Sequence, residues 1–178
     1  SDPEKAIPLF EKILENAPEW KRAPNTQYLI GKAYEEAEKP ELAIPAYQAV
    51  ELRYPENPLA IKSAFKKCEL LFELSGRYSN DKKLREKAYS ALRLFVAQHP
   101  DSEYYDEALK LEKRQYERCA EAAFEIAHYY DKVSEQPEAA LIEYRQMAKR
   151  FPNSKWTKKA QERIVELQKT VGEQNETE

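Results

Sequence analysis

One spacing pattern constrains this chain more than any other feature. An alanine is followed by a large apolar residue four positions on, a second apolar residue at seven, and a proline at twelve. The register occurs four times, as Ala6-Phe10-Ile13-Pro18, Ala43-Tyr47-Val50-Pro55, Ala88-Leu92-Phe95-Pro100 and Ala140-Tyr144-Met147-Pro152. Steps of four and seven place three side chains on one helix face, and the alanine lets a neighbouring helix approach closely. The proline stops the helix after its last turn. Three of these helices open with Pro-Glu three residues before the alanine, at Pro3-Glu4, Pro40-Glu41 and Pro137-Glu138. Proline suits the first helical position, and an acid there opposes the positive end of the helix dipole. Three of the stop prolines are followed two residues later by a capping side chain, Asn57, Ser102 and Ser154. Each stop therefore leads into the next start.

The same units carry a first-helix half. Gly31 and Tyr34 precede Ala43 at the offsets of a tetratricopeptide repeat, Cys68 is the small residue of the next unit, and Ala127 with Tyr130 fills these positions in the last. That last unit has one extra residue in its turn, Ser134-Glu135-Gln136. The expected fold is all-α: a tetratricopeptide-repeat α-solenoid of about eight antiparallel helices, over 3–16, 24–38, 40–53, 57–75, 81–98, 103–132, 137–150 and 154–170. Residues 1–171 read as a single solenoid and 172–178 as a disordered tail. Successive alanines lie 37, 45 and 52 residues apart. The second step predicts a longer loop around Leu74 to Lys83, marked by Ser75-Gly76 and Ser79-Asn80-Asp81. The third predicts one long helix from Glu103 to Lys132, of about 45 Å by helix rise, or one kinked near Glu112–Gln115 where the apolar stripe fades. Pro8 and Pro45 resist the scheme, because proline inside a helix removes a hydrogen bond. The first helix, of second-helix type, lacks a partner for its inner face, and the natural protein is expected to continue upstream of Ser1.

Composition agrees and excludes several functions. Ala, Glu, Lys, Leu and Arg make up about half of the residues, as in helices with an apolar stripe. Three glycines leave little material for phosphate-cradling loops. The 32 acidic and 29 basic residues are intermixed, without the basic stripe that nucleic-acid binding needs. No apolar run is long enough to span a membrane. Cys68 and Cys119 read as small buried residues, since neither has the CxxC context of a metal or redox site.

Function is expected on the first helices, which line the concave side of such a solenoid. Aligned on Gly31, Cys68 and Ala127, the groove positions are Tyr28, Lys32 and Glu35; Phe65, Glu69 and Phe72; and Phe124, His128 and Asp131. An aromatic row flanked by mixed charges suits an extended peptide or a partner helix. The same aromatics would equally serve packing between repeats. Catalysis is not expected: His99 sits at a helix end, His128 has only Asp131 a turn away, and no nucleophile stands at an evident turn. Scattered acids and two histidines give no metal-ligand spacing, and no cofactor is expected. Asn175-Glu176-Thr177 fits a glycosylation sequon of a kind common by chance.

Longer stretches carry a resemblance. HPDSEYYDEAL, a long helix ending CAEAAFEIAHYY, and PEAALIEYRQMAKRFPNSKW follow one another from His99. Together with KAIPLFEKILENAP and YLIGKAYEEAEKPELAIPAYQAVELRYPENP they resemble the BamD/YfiO family of outer-membrane β-barrel assembly lipoproteins. The matching positions of the closest part are Pro100, Asp101, Ser102, Tyr104, Tyr129 and Tyr130. The family's lipid-bearing cysteine and first helix are not in this sequence, and its last repeat is reduced to the helix 154–170. The resemblance implies a non-catalytic scaffold at the periplasmic face of the outer membrane, with a lipid anchor upstream of this chain. It implies protein partners: a BamA-like barrel assembly protein and unfolded outer-membrane protein segments. Two other readings are a periplasmic coordinator of cell-envelope and cell-division machinery, whose repeats are more uniform in length, and a soluble chaperone-binding adaptor; without the resemblance the expected location is the cytoplasm. The adaptor's carboxylate clamp is only partly met by Asn25 and Lys32.

Overall fold

The structure is a computed structural model and describes residues 3–175. A 3-10 turn, Pro3–Ala6, leads into eight α-helices among the described residues. They are α1 (Ile7–Asn16), α2 (Ala23–Glu36), α3 (Pro40–Arg53), α4 (Pro58–Arg77), α5 (Lys82–Gln98), α6 (Tyr105–Lys132), α7 (Pro137–Arg150) and α8 (Lys155–Asn175). No strand occurs among the described residues. The architecture is the all-α, tetratricopeptide-type helical repeat that the register demands.

The repeat is visible in backbone angles as well as in sequence. The residues ahead of the four stop prolines, Ala17, Tyr54, His99 and Phe151, share φ between −145 and −125 and ψ between 52 and 63. Proline excludes the helical region for the residue before it, so each helix ends at the same place for the same reason. The next helix is then capped by the side chain two residues on. Asn57 Oδ1 accepts from the Leu59 amide at 3.0 Å, Ser102 Oγ from Tyr104 at 3.1 Å, and Ser154 Oγ from Trp156 at 3.1 Å.

The turns inside the units repeat too. At the end of α2, the Lys39 amide donates to the Tyr34 carbonyl and the Glu38 amide to the Glu35 carbonyl, with Glu38 at φ 57. This is a Schellman closure with glutamate where glycine is usual. After α6, the Gln136 amide reaches the carbonyl of Tyr130, the repeat equivalent of Tyr34, and Glu135 stands at φ 51. The extra residue of this turn is absorbed without changing which carbonyl closes it.

Three sequence expectations change and one, the place of Pro45, stands. The loop around Leu74 to Lys83 shrinks to residues 78–81, because α4 runs on to Arg77 and α5 begins at Lys82. Leu74 is buried and the buried Ser75 donates to the Phe72 carbonyl at 2.8 Å, so this segment gains more from helix than from a turn. Pro8 sits in the first turn of α1, following the 3-10 entry, where no helical amide bond is lost. Pro45 does lie inside α3, on its exposed side, where the carbonyl it leaves unbonded can meet water. Residues 172–175 continue α8. Residues 176–178, and with them most of the sequon, lie outside the described residues.

The chain divides into two compact units, 1–112 and 113–178, with the boundary inside the unbroken α6. It falls in the stretch where the apolar stripe fades. In the first unit, Ala43, Tyr47, Leu70, Leu71 and Ala88 build one core cluster, and Phe65, Cys68, Leu92, Phe95 and Leu111 build another. α2 and α3 approach closely at Gly31, where an added Cβ would lie 2.7 Å from the Tyr47 ring. In the second unit Ala120, Ala127, Ala140, Tyr144, Met147 and Ala160 are buried. Both cysteines are buried and free, and burial pushes the Cys68 thiol up to about 12, which leaves it inert.

Candidate partner-binding surface

In the first unit, α2 and α4 carry the expected groove residues. Tyr28 is half-buried, its ring tilted against Tyr47 at 5.4 Å with Lys62 over its outer face at 5.3 Å. Lys32 is exposed and pairs with Glu36 one turn on at 3.4 Å. Glu69 is half-buried and bonded to Lys66 at 3.3 Å. Burial raises the Glu69 carboxyl above its ordinary range against the opposing pull of that lysine. Phe65 and Phe72 lie deeper, 6% and 7% exposed, in the cluster with Leu92 and Phe95. Phe65 stacks on Tyr104 at 5.0 Å and tilts against Phe95 at 5.6 Å. Their surface goes to packing between helices.

In the second unit, Phe124 is half-buried against Tyr144 at 5.3 Å and Trp156 at 5.0 Å, and His128 is exposed with its ring stacked toward Phe124 at 6.2 Å. Asp131 points inward, its side chain only 2% exposed. Arg163 of α8 holds it from two nitrogens, at 2.6 and 2.8 Å. That pairing is foremost in keeping the Asp131 carboxyl below its usual range, ahead of burial, which acts the other way.

Glu35 and Asp131, both read from sequence as groove residues, are members of a recurring internal tie. The Tyr47 hydroxyl donates to Glu35 at 2.5 Å, and Lys66 of α4 donates to the same carboxylate at 3.3 Å. The Tyr144 hydroxyl donates to Asp131 at 3.3 Å, and Arg163 of α8 completes that set. Each tie joins an acid on a first helix, a tyrosine on the second helix, and a cation on the first helix of the following unit. Burial and the adjacent carboxylate push the Tyr144 phenol up to about 12 and hold Tyr47 well above its ordinary value. In the repeat formed by α4 and α5 the acid and tyrosine positions are Phe72 and Leu92, and both join the apolar cluster instead. The signal was present in the sequence: an acid four residues past Gly31 and Ala127, a tyrosine four past Ala43 and Ala140, and a basic residue 31 or 32 past each acid.

Two further surfaces of the first unit stand open. A cleft of about 720 Å³ lies over α2 between α1 and α3, with Ile30, Tyr34 and Ala46 along it and Glu11, Glu15 and Arg53 at its margins. The repeat register gave no sign of it, since Pro45, Ala46 and Ala49, whose small side chains leave the space, lie outside the register positions. On α1, Leu9 and Ile13 are 65% and 38% exposed, and Trp20, in the connection to α2, is 46% exposed. The residues matching Ile13 in the other units, Val50, Phe95 and Met147, are no more than 3% exposed. Ile13 is therefore more open than its counterparts, while Ile7 and Leu14 of the same helix are buried.

Among the described residues no group of three or more His, Cys, Asp or Glu side chains could hold a metal ion. No helix among them is long and apolar enough to cross a membrane. Helix pairs packed in succession, with no strand among the described residues, define a tetratricopeptide-type protein. More narrowly, the chain belongs to the YfiO family of outer membrane lipoproteins, whose model matches residues 1–178. No curated protein matches the sequence significantly.

Proposed function

We propose that this chain is a non-catalytic scaffold of the BamD type, serving outer-membrane β-barrel assembly at the periplasmic face of the outer membrane. The observation that carries the reading is the match of one outer membrane lipoprotein family across the whole chain. The helical repeat agrees with it, since such repeats bind other proteins along exposed helix faces. The 28-residue α6 suits this reading better than a coordinator built from uniform repeats. The partners are a BamA-like barrel assembly protein and unfolded segments of outer-membrane proteins.

The contact positions proposed in the first unit are Tyr28, Lys32 and Glu69; in the second they are Phe124 and His128. Each keeps some surface free, whereas Glu35 and Asp131 are engaged in the inter-helix ties and Phe65 and Phe72 in the core. Photo-crosslinking from positions 32 and 128 in the native envelope, followed by identification of the captured proteins, tests the proposal. Recovery of the barrel assembly protein is expected. Capture of cytosolic chaperones alone would overturn it.

A further inference from the structure

The last inter-helix turn differs in charge from the rest of the chain. Between Glu143 and Glu162 no acidic residue occurs, while Arg145, Lys149, Arg150, Lys155, Lys158 and Lys159 do. The matching turns between α3 and α4 and between α5 and α6 carry Glu56 and Asp101. All six cations are exposed, beside the exposed turn residues Pro152 and Asn153. Among the described residues none of Arg145, Lys149, Lys155, Lys158 and Lys159 pairs with a carboxylate. Glu117, the acid of α6 nearest the turn, is occupied by the Ser154 hydroxyl at 2.8 Å and the Lys155 amide. Arg150 lies over the Phe151 ring. Behind this row Trp156 is half-buried, with Lys159 over its ring at 4.4 Å and Lys155 at 5.6 Å.

We propose that the α7–α8 turn rests on an anionic phospholipid surface, drawn there by Arg145, Lys149, Lys155, Lys158 and Lys159. The choice between a membrane and an acidic protein follows from the kind of cation. Four of the five are lysines, which are flexible, strongly hydrated point charges. Fixed carboxylates on a protein are matched best by the planar fork of arginine, and lysine is depleted at protein interfaces. A plane of mobile headgroups needs charge near the surface and little fixed geometry, with each Lys or Arg contributing independently. A chain of an outer membrane lipoprotein family works beside a bilayer. Tryptophan rings favour the headgroup level, and Trp156 stands directly behind the cations.

The test uses the 178-residue chain with no lipid attached. It is co-sedimented with vesicles of equal parts phosphatidylglycerol and phosphatidylcholine, and separately with pure phosphatidylcholine. Binding is expected to the anionic vesicles alone and to disappear in high salt. The triple variant Lys155→Gln/Lys158→Gln/Lys159→Gln should lower partitioning on the order of 100-fold. Lys82→Gln/Lys83→Gln/Lys87→Gln on α5 removes the same charge from another exposed face and should change it by only a few-fold. Circular dichroism confirms that both variants are folded. The proposal is overturned by no binding to anionic vesicles, by equal losses in the two variants, or by capture of a polyglutamate peptide where vesicles are ignored.

Discussion

Asp131 shows how one side chain can be read correctly for position and differently for role. Its offset from Ala127 was legible, but the offset gives a face of a helix and not the partner waiting there. A carboxylate 2% exposed persists only if it is paired, and Arg163 and Tyr144 pair it. Because the folded carboxyl sits below its ordinary value of 3.8, its contribution is complete above the unfolded value and is lost as pH falls through the folded one. Asp131→Asn is therefore expected to lower stability at pH 7 by about 1–3 kcal/mol. Below about pH 4 it should lose less further stability than the parent chain. Urea midpoints measured from pH 7 to pH 2.5 test this, and parallel acid limbs for the two proteins would refute it. Phe65 and Phe72 illustrate a related limit: an aromatic at a groove offset serves packing wherever the facing unit supplies apolar neighbours, here Leu92, Phe95 and Tyr104. That choice depends on the next unit, which the offset alone does not describe.

At the scale of elements, helix starts and stops were almost fully legible. Pro and Asn or Ser act within two or three residues, so Pro18, Pro55, Pro100 and Pro152 end helices where expected and Asn57, Ser102 and Ser154 cap the next. The α4–α5 connection was not legible, because Ser75-Gly76 is turn-like in isolation and only the burial of Leu74 and Ser75 makes it helix. Nor were the left-handed glutamates. Glu38 and Glu135 occupy equivalent turn positions at φ 57 and 51, a region that costs a side-chain-bearing residue about 1–2 kcal/mol. Part of that cost returns through the greater freedom of glycine in the unfolded chain. Glu38→Gly should thus raise stability by roughly 0.5–1 kcal/mol, while Glu38→Val should lower it, since a β-branched residue is a marked outlier there. Urea midpoints at constant slope read both. A destabilised glycine variant would show that the Glu38 side chain contributes something beyond its backbone shape.

For the whole molecule, the repeat register specified the class of fold, and the family match extends over all of it. Division of the chain into two compact units was not foreseen, although its boundary falls at Glu112, where the apolar stripe had already been seen to fade. In repeat proteins stability is carried by each unit and its nearest neighbours. Replacing Arg163 by alanine strands a buried carboxylate within the second unit, at a cost of about 3–5 kcal/mol. Amide exchange should then quicken through α7 and α8 while the protected core of α3 and α4 keeps its rates. A uniform loss across the chain would mean that the two units open as one.

The acid–tyrosine–cation ties set a rule for how such a chain can be edited or can diverge. Each joins a unit to the helix that follows it, at Glu35–Tyr47–Lys66 and at Asp131–Tyr144–Arg163. The α4–α5 repeat has Phe72 and Leu92 at the matching positions and packs both into hydrocarbon. A unit of the first kind cannot be transplanted or duplicated alone, because its carboxylate would arrive without the cation that its successor supplies. The α4–α5 repeat, with Phe72 in place of the acid, brings no carboxylate at that position and is the natural place for exchanges.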